Sequence, residues 1–221
     1  MNPIYQKLQG CLKSVREKTD FVPKVAIVLG SGLGDYANDI EVVSEIAYSD
    51  IEGFPVSTVP GHAGKFIFGY VKDVPVVCMK GRVHYYEGYP ISDVVLPTRL
   101  MKLMGAETLF LTNASGGINP SFNAGDFMML TDHISLWAPN PLIGQNIDEL
   151  GTRFPDMSEI YDKDFIDRGF KMSFCNFEPL RVKNIVKRLD AGVHGIGLSN
   201  WSKVDELHIH RNGVYLEMAL S

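Results

Sequence analysis

Apolar residues recur at helical spacing across residues 4–17, where Ile4, Leu8, Cys11, Leu12 and Val15 form one stripe and lysines and glutamate fill the rest. That is the pattern of an amphipathic helix. In "KVAIVLGSGLG" the helical period gives way to a continuous, largely β-branched run closed by glycines, which predicts a buried strand entering a tight turn. "KFIFGYVKDVPVVCMKG" predicts two strands joined at Lys72 and Asp73. "DVVLPTRLMKLMGA" returns to helical spacing and stops at Gly105, a plausible C-cap. "ETLFLTNASGG" is again a buried strand ending in small polar residues, "GDFMMLTDHISLW" adds a further strand, and "LRVKNIVKRL" has the spacing of a short amphipathic helix. Helices alternating with buried strands predict an α/β fold, a mostly central mixed β-sheet flanked by helices.

Length and charge narrow the function. At 221 residues, 45% of them hydrophobic, the chain is long enough for one sizeable core. Net charge is −5 with acidic and basic residues interspersed, so no basic face offers itself to nucleic acid, and any bound anion is expected to be small. Cys11, Cys78 and Cys175 are odd in number and widely separated, which argues against a disulfide framework or a CxxC metal site and fits a reducing compartment. The N-terminal residues alternate charges with apolar positions, unlike a signal peptide or membrane anchor, so a cytoplasmic location is expected. His208 and His210 would share one strand face, but two histidines without a third ligand make no metal site.

In α/β folds ligands bind beyond the carboxyl ends of the strands. Three loops qualify: "GSGLGD" at 30–35, "GRVHYYEGY" at 81–89 and "TNASGGIN" at 112–119. The first has glycines spaced GxGxG rather than GxGxxG, so it does not match the dinucleotide fingerprint. Its backbone N–H groups and Ser31 hydroxyl suit a phosphate-sized anion, though a plain strand-to-helix turn would look the same. In the second, Arg82 and His84 alternate and would point to one side if the preceding strand continued; a guanidinium fork suits phosphate, and an imidazole can donate or carry a proton. Tyr85, Tyr86 and Tyr89 read equally as core aromatics. The third supplies Asn113 and Ser115 in a glycine-rich turn.

Taken together, "VAIVLGSGLG", "FPVSTVPGHAGKFIFG", "GRVHYYEGYP", "TNASGGINPSFNAGDFMMLTDHI" and "GTRFPDMSEIYD" resemble, in order and spacing, the trimeric type of purine nucleoside phosphorylase. The resemblance runs to about Asp164. It implies phosphorolysis of purine ribo- and deoxyribonucleosides to free base and pentose 1-phosphate, in purine salvage. No metal or cofactor is implied beyond inorganic phosphate as co-substrate, and a cyclic homotrimer is. By position, it implies phosphate binding at Ser31, Arg82, His84 and the backbone of Ala114. His62 in "GHAG" would close over the sugar, with His62 and His84 as the catalytic pair. Tyr86 would meet the ribose, Phe154 would be lent to a neighbouring subunit's sugar pocket, and Gly116 would lie against the purine. Glu87 and Asn113 would support the site.

Past Asp164 the family's later motifs, including "GPSYET" and the purine-recognising glutamate and asparagine, find no counterpart. Residues 1–164 therefore read as a phosphorylase-like α/β domain, and 165–221 as a divergent segment of that domain that resembles the family only around 213–219. A shifted frame, an insertion or a truncated product would each produce such a change. The expected alternative to an active enzyme is an incomplete paralogue, weakly active or inactive, that keeps phosphate and ribose binding.

Overall fold

The computed structural model describes residues 2–30, 32–57, 64–114, 129–132, 139–168 and 195–197. In chain order the elements are α1 (Pro3–Arg16), β1 (Val25–Leu29), β2 (Glu41–Ala47), β3 (Lys65–Val71), β4 (Val74–Lys80), α2 (Ile91–Val94), α3 (Leu96–Leu103), β5 (Thr108–Asn113) and β6 (Gly195–Gly197). The strands follow the order β2-β3-β4-β1-β5-β6, with β2, β3 and β4 an antiparallel meander and β5 antiparallel to β6. The expected α/β sheet is present. Its edge strand β2 escapes the hydrophobic pattern because its apolar residues do not alternate with polar ones: the adjacent Val42 and Val43 both lie exposed and only Ile46 is buried.

Two compact units divide the chain: Met1–Val28, Ala37–Leu109 and Pro139–Pro155 in the first; Leu29–Tyr36, Phe110–Ala138 and Asp156–Ser221 in the second. In the first unit, α1 begins as its sequence prescribes. The Asn2 side chain accepts the Ile4 N–H at 2.9 Å, and Pro3 opens the helix where a missing N–H costs nothing. Leu8, Cys11 and Val15 of the predicted stripe are fully buried. At the other end Arg16 donates at 2.7 Å to both the Phe21 and the Met104 carbonyls, tying the helix to the end of α3.

The segment read as one helix before Gly105 is two. Pro97 has no N–H to return to the preceding turn, so α2 stops at Val94, Val95 bends, and α3 starts afresh with Pro97 in its first turn. Gly105 closes α3 as expected: its N–H reaches the Lys102 carbonyl and the Ala106 N–H the Met101 carbonyl. Lys24 sets the start of β1, donating its N–H to Pro75 and accepting from Glu107 and Thr108. Tyr48 and Phe54 pack on Phe66, which neighbours Phe68 in β3 of the meander, rings 4.8–6.3 Å apart at tilted or edge-on angles.

In the second unit, β1 ends against β5. The Gly30 N–H donates to Thr112 Oγ1 at 2.9 Å, and a Cβ on Gly30 would stand 2.5 Å from Asn113 Cα. Of the strand read in "GDFMMLTDHISLW", Met129 and Asp132 form bridges and the remainder lies outside the described residues, as does the helix read at 180–189. Residues 163–168 are helical. Among the described residues, no helix is long and apolar enough to cross a membrane.

Candidate phosphate and nucleoside site

Strand β4 delivers the loop 81–89, and it does so by ending. The strand stops at Lys80 and Gly81 takes φ 83°, a left-handed conformation that a side chain would strain. Arg82 and His84 are therefore not alternate residues of a continuing strand, as their spacing suggested. Val83 between them is buried and anchors the loop, while Arg82 and His84 are half-buried on either side.

His84 is extended (φ −116°, ψ 151°) and precedes a 3-10 turn, Tyr85–Glu87. Glu87 pins this turn with both carboxylate oxygens. Oε1 accepts the His84 N–H at 2.7 Å, and Oε2 accepts the Ser57 hydroxyl at 3.0 Å. A carboxylate bridging two donors from separate segments fixes the loop more firmly than the turn alone would. Tyr89 reinforces the same junction, donating its hydroxyl to the Val56 carbonyl at 2.5 Å.

With its backbone held, His84 stacks its ring on Tyr86, centroids 4.8 Å apart and planes at 12°. Tyr85 and Tyr86 are 55% and 74% exposed, so neither is a core aromatic. The Tyr86 ring has packed onto the His84 imidazole instead and stays mostly exposed. Arg82, His84, Tyr86 and Glu87 are thus gathered in one short loop, and Ser57 joins them from "FPVST". Sequence reasoning did not single out Ser57, although it lies inside a quoted motif.

Asn113 and Ala114, at the end of β5, are half-buried in the second unit beside the contact of Thr112 with Gly30. Thr112 is a second residue missed from sequence, since a threonine within "LFLTN" reads simply as a strand former. Phe154 is 85% exposed, with the Arg153 guanidinium 5.8 Å from its ring centroid. Ser31, His62 and Gly116 lie outside the described residues, as do His208 and His210.

A family model described as "Phosphorylase superfamily" matches residues 24–195. Purine nucleoside phosphorylase 1 of Bacillus subtilis (strain 168) is 53% identical over 167 residues, 76% of this chain and 62% of the relative. Purine nucleoside phosphorylase 1 of Geobacillus stearothermophilus is 52% identical over 156 residues, 71% of this chain and 57% of the relative. The chain thus spans less than two thirds of the length of either bacterial relative. A crystal structure of Schistosoma mansoni purine nucleoside phosphorylase in complex with inosine superposes with a TM-score of 0.69 at 31% identity, covering 91% of this chain and 85% of the other.

The chain belongs to the purine nucleoside phosphorylase family. Membership accounts for a central sheet whose strand ends carry short polar loops, and the family match continues past Asp164 to residue 195. In the loop 81–89 the glutamate spends both oxygens on holding its neighbours in place, one on the His84 N–H and one on Ser57.

Proposed function

We propose that the chain catalyses phosphorolysis of purine ribo- and deoxyribonucleosides, releasing the free base and pentose 1-phosphate. The observation that carries this reading is the pinned loop in which Glu87 bonds both the His84 N–H and Ser57, while the His84 ring lies stacked on Tyr86. Phosphate is assigned to Arg82 and His84, with Ser31 and the Ala114 backbone. Tyr86 is assigned to the ribose, Phe154 to the sugar pocket of a neighbouring copy in a homotrimer, Gly116 to the purine, and His62 to the sugar end. Inorganic phosphate serves as co-substrate, without a metal, and the cytoplasm is the proposed location.

The chemistry balances with these groups alone. As the glycosidic C–N bond lengthens, positive charge grows on the ribose ring, and a phosphate dianion held beside it stabilises that charge before its oxygen bonds to C1′. The base leaves with the bonding electron pair and takes up a proton, which is balanced by the one that hydrogen phosphate releases on becoming the pentose phosphate ester. Arg82 holds the dianion in place without consuming it, and His84 has a ring nitrogen to donate. An exposed phenylalanine fits an aromatic wall supplied to a second copy better than it fits a solvated surface.

The test is phosphate-dependent release of hypoxanthine from inosine by the full chain. Turnover is expected. Arg82→Ala should raise the phosphate KM by about 30-fold, the factor for roughly 2 kcal/mol of hydrogen bonding to a charged group. Phe154→Ala should lower turnover while leaving stability within about 0.5 kcal/mol of wild type, because its ring is exposed. Absence of phosphate-dependent turnover, or a phosphate KM unmoved in the Arg82 variant, would refute the assignment.

A further inference from the structure

Tyr48 is a buried aromatic whose polar end reaches the loop just described. It is 2% exposed, in the short 3-10 turn Tyr48–Asp50 after β2, and it is held on every side. Its N–H donates to the Gly64 carbonyl at 3.0 Å, and its own carbonyl accepts the Ile51 N–H at 3.1 Å. Its ring stands 4.8 Å from Phe54 and 5.0 Å from Phe66. The ring also crowds Gly64, where a Cβ would come within 2.1 Å of Cε2 and 2.3 Å of Cδ2, so it fits only because that residue has no side chain. From this fixed position the hydroxyl donates to the Gly81 carbonyl at 2.8 Å.

The Gly81 carbonyl belongs to the planar peptide that also contains the Arg82 nitrogen and Cα. Fixing its oxygen fixes the direction in which the chain enters Arg82. Gly81 itself supplies little rigidity, since glycine in the left-handed region has more conformational freedom than any other residue. Resting on the function proposed above, we propose that Tyr48 is a positioning residue for phosphate: its buried hydroxyl holds the Gly81 peptide and so aims the Arg82 guanidinium. Burial pushes the phenol well above its ordinary pKa, with Cys78 adding to the rise and the Arg82 charge opposing it, so the hydroxyl keeps its proton and donates at every working pH.

Tyr48→Phe separates aim from packing, because it keeps the ring on Gly64 and removes only the donor. Affinity for inorganic phosphate, measured by titration calorimetry on the full chain, should weaken about fivefold to tenfold, the range for one lost hydrogen bond. In turnover the same change should appear in the phosphate KM and not in the inosine KM. Phe68→Leu, which loosens the same aromatic core, is the control and should lower Tm without moving the phosphate Kd. An unchanged Kd in Tyr48→Phe, an equal loss in Phe68→Leu, or no phosphate binding by the wild-type chain would overturn the inference. A wild-type chain that binds phosphate but does not turn over inosine would refute the proposed activity instead, while the Kd comparison still decides the role of Tyr48.

Discussion

Gly30→Ala tests how the end of β1 meets the end of β5. The new Cβ would lie 2.5 Å from Asn113 Cα, 2.7 Å from the Thr112 carbonyl oxygen and 2.9 Å from the Asn113 nitrogen. Carbon contacts prefer about 3.5–4.0 Å, so the strands must part by about 1 Å, and the obstructing atoms are backbone that cannot rotate aside. Overpacking of this kind costs about 1–3 kcal/mol. Parting the strands also stretches the 2.9 Å bond from the Gly30 N–H to Thr112 Oγ1, at a threonine only 8% exposed. Stranding that donor adds about 1–3 kcal/mol. The alanine's smaller unfolded-state entropy returns about 0.4–1 kcal/mol. A net loss of about 2–4 kcal/mol is expected. Urea unfolding reads it directly as a midpoint lowered by about 1–2 M for a slope near 2 kcal/mol per M. Thr112→Val dissects the effect, removing the acceptor while nearly keeping the shape, and should cost about 1–3 kcal/mol, that of the stranded donor alone. A Gly30→Ala chain within about 0.5 kcal/mol of wild type at unchanged slope would refute the close approach.

Other expectations concern the first unit. Burial raises the Cys78 thiol from 9.0 to about 12, with Lys80 opposing the rise. Because the folded value lies above the unfolded one, the proton is held more tightly in the folded chain, so its contribution is intact below pH 9 and lost as pH climbs toward 12. Cys11 and Tyr48 shift the same way, so urea midpoints should fall between pH 8 and pH 10.5; a pH-independent midpoint would count against this burial. Iodoacetamide at pH 8 should leave Cys78 unlabelled in the folded chain and label it after unfolding, since the thiolate is the reactive form. Arg16→Ala removes two 2.7 Å bonds to the Phe21 and Met104 carbonyls and should cost about 2 kcal/mol by urea unfolding, with loss below about 0.5 kcal/mol contradicting that role.

Where hydrophobic period is strong, the chain could be read directly. The buried stripe of α1, the strands β1, β3 and β4, and the stop at Gly105 all follow from local pattern, because each depends on which side of a single element meets the core; β5 forms where expected but is half-buried rather than buried, with Thr112 alone below the surface. β2 was not legible, since its apolar residues, Val42 and Val43 adjacent and exposed and only Ile46 buried, do not follow the two-residue period of a half-buried strand. The break at Val95 was legible in principle from Pro97, yet helical spacing on both sides concealed it.

By itself the sequence determined the family and the residue types gathered in its polar loops: Arg82, His84, Tyr86 and Glu87 stand within six positions whatever the packing around them. Tertiary structure decided what those residues do to one another. It ended β4 at Lys80, spent both Glu87 oxygens on His84 and Ser57, laid the His84 ring on Tyr86, and brought the Tyr48 hydroxyl to Gly81 from 33 residues away. Such contacts depend on where a distant backbone stands, to within a few tenths of an ångström, and local composition carries no record of that distance.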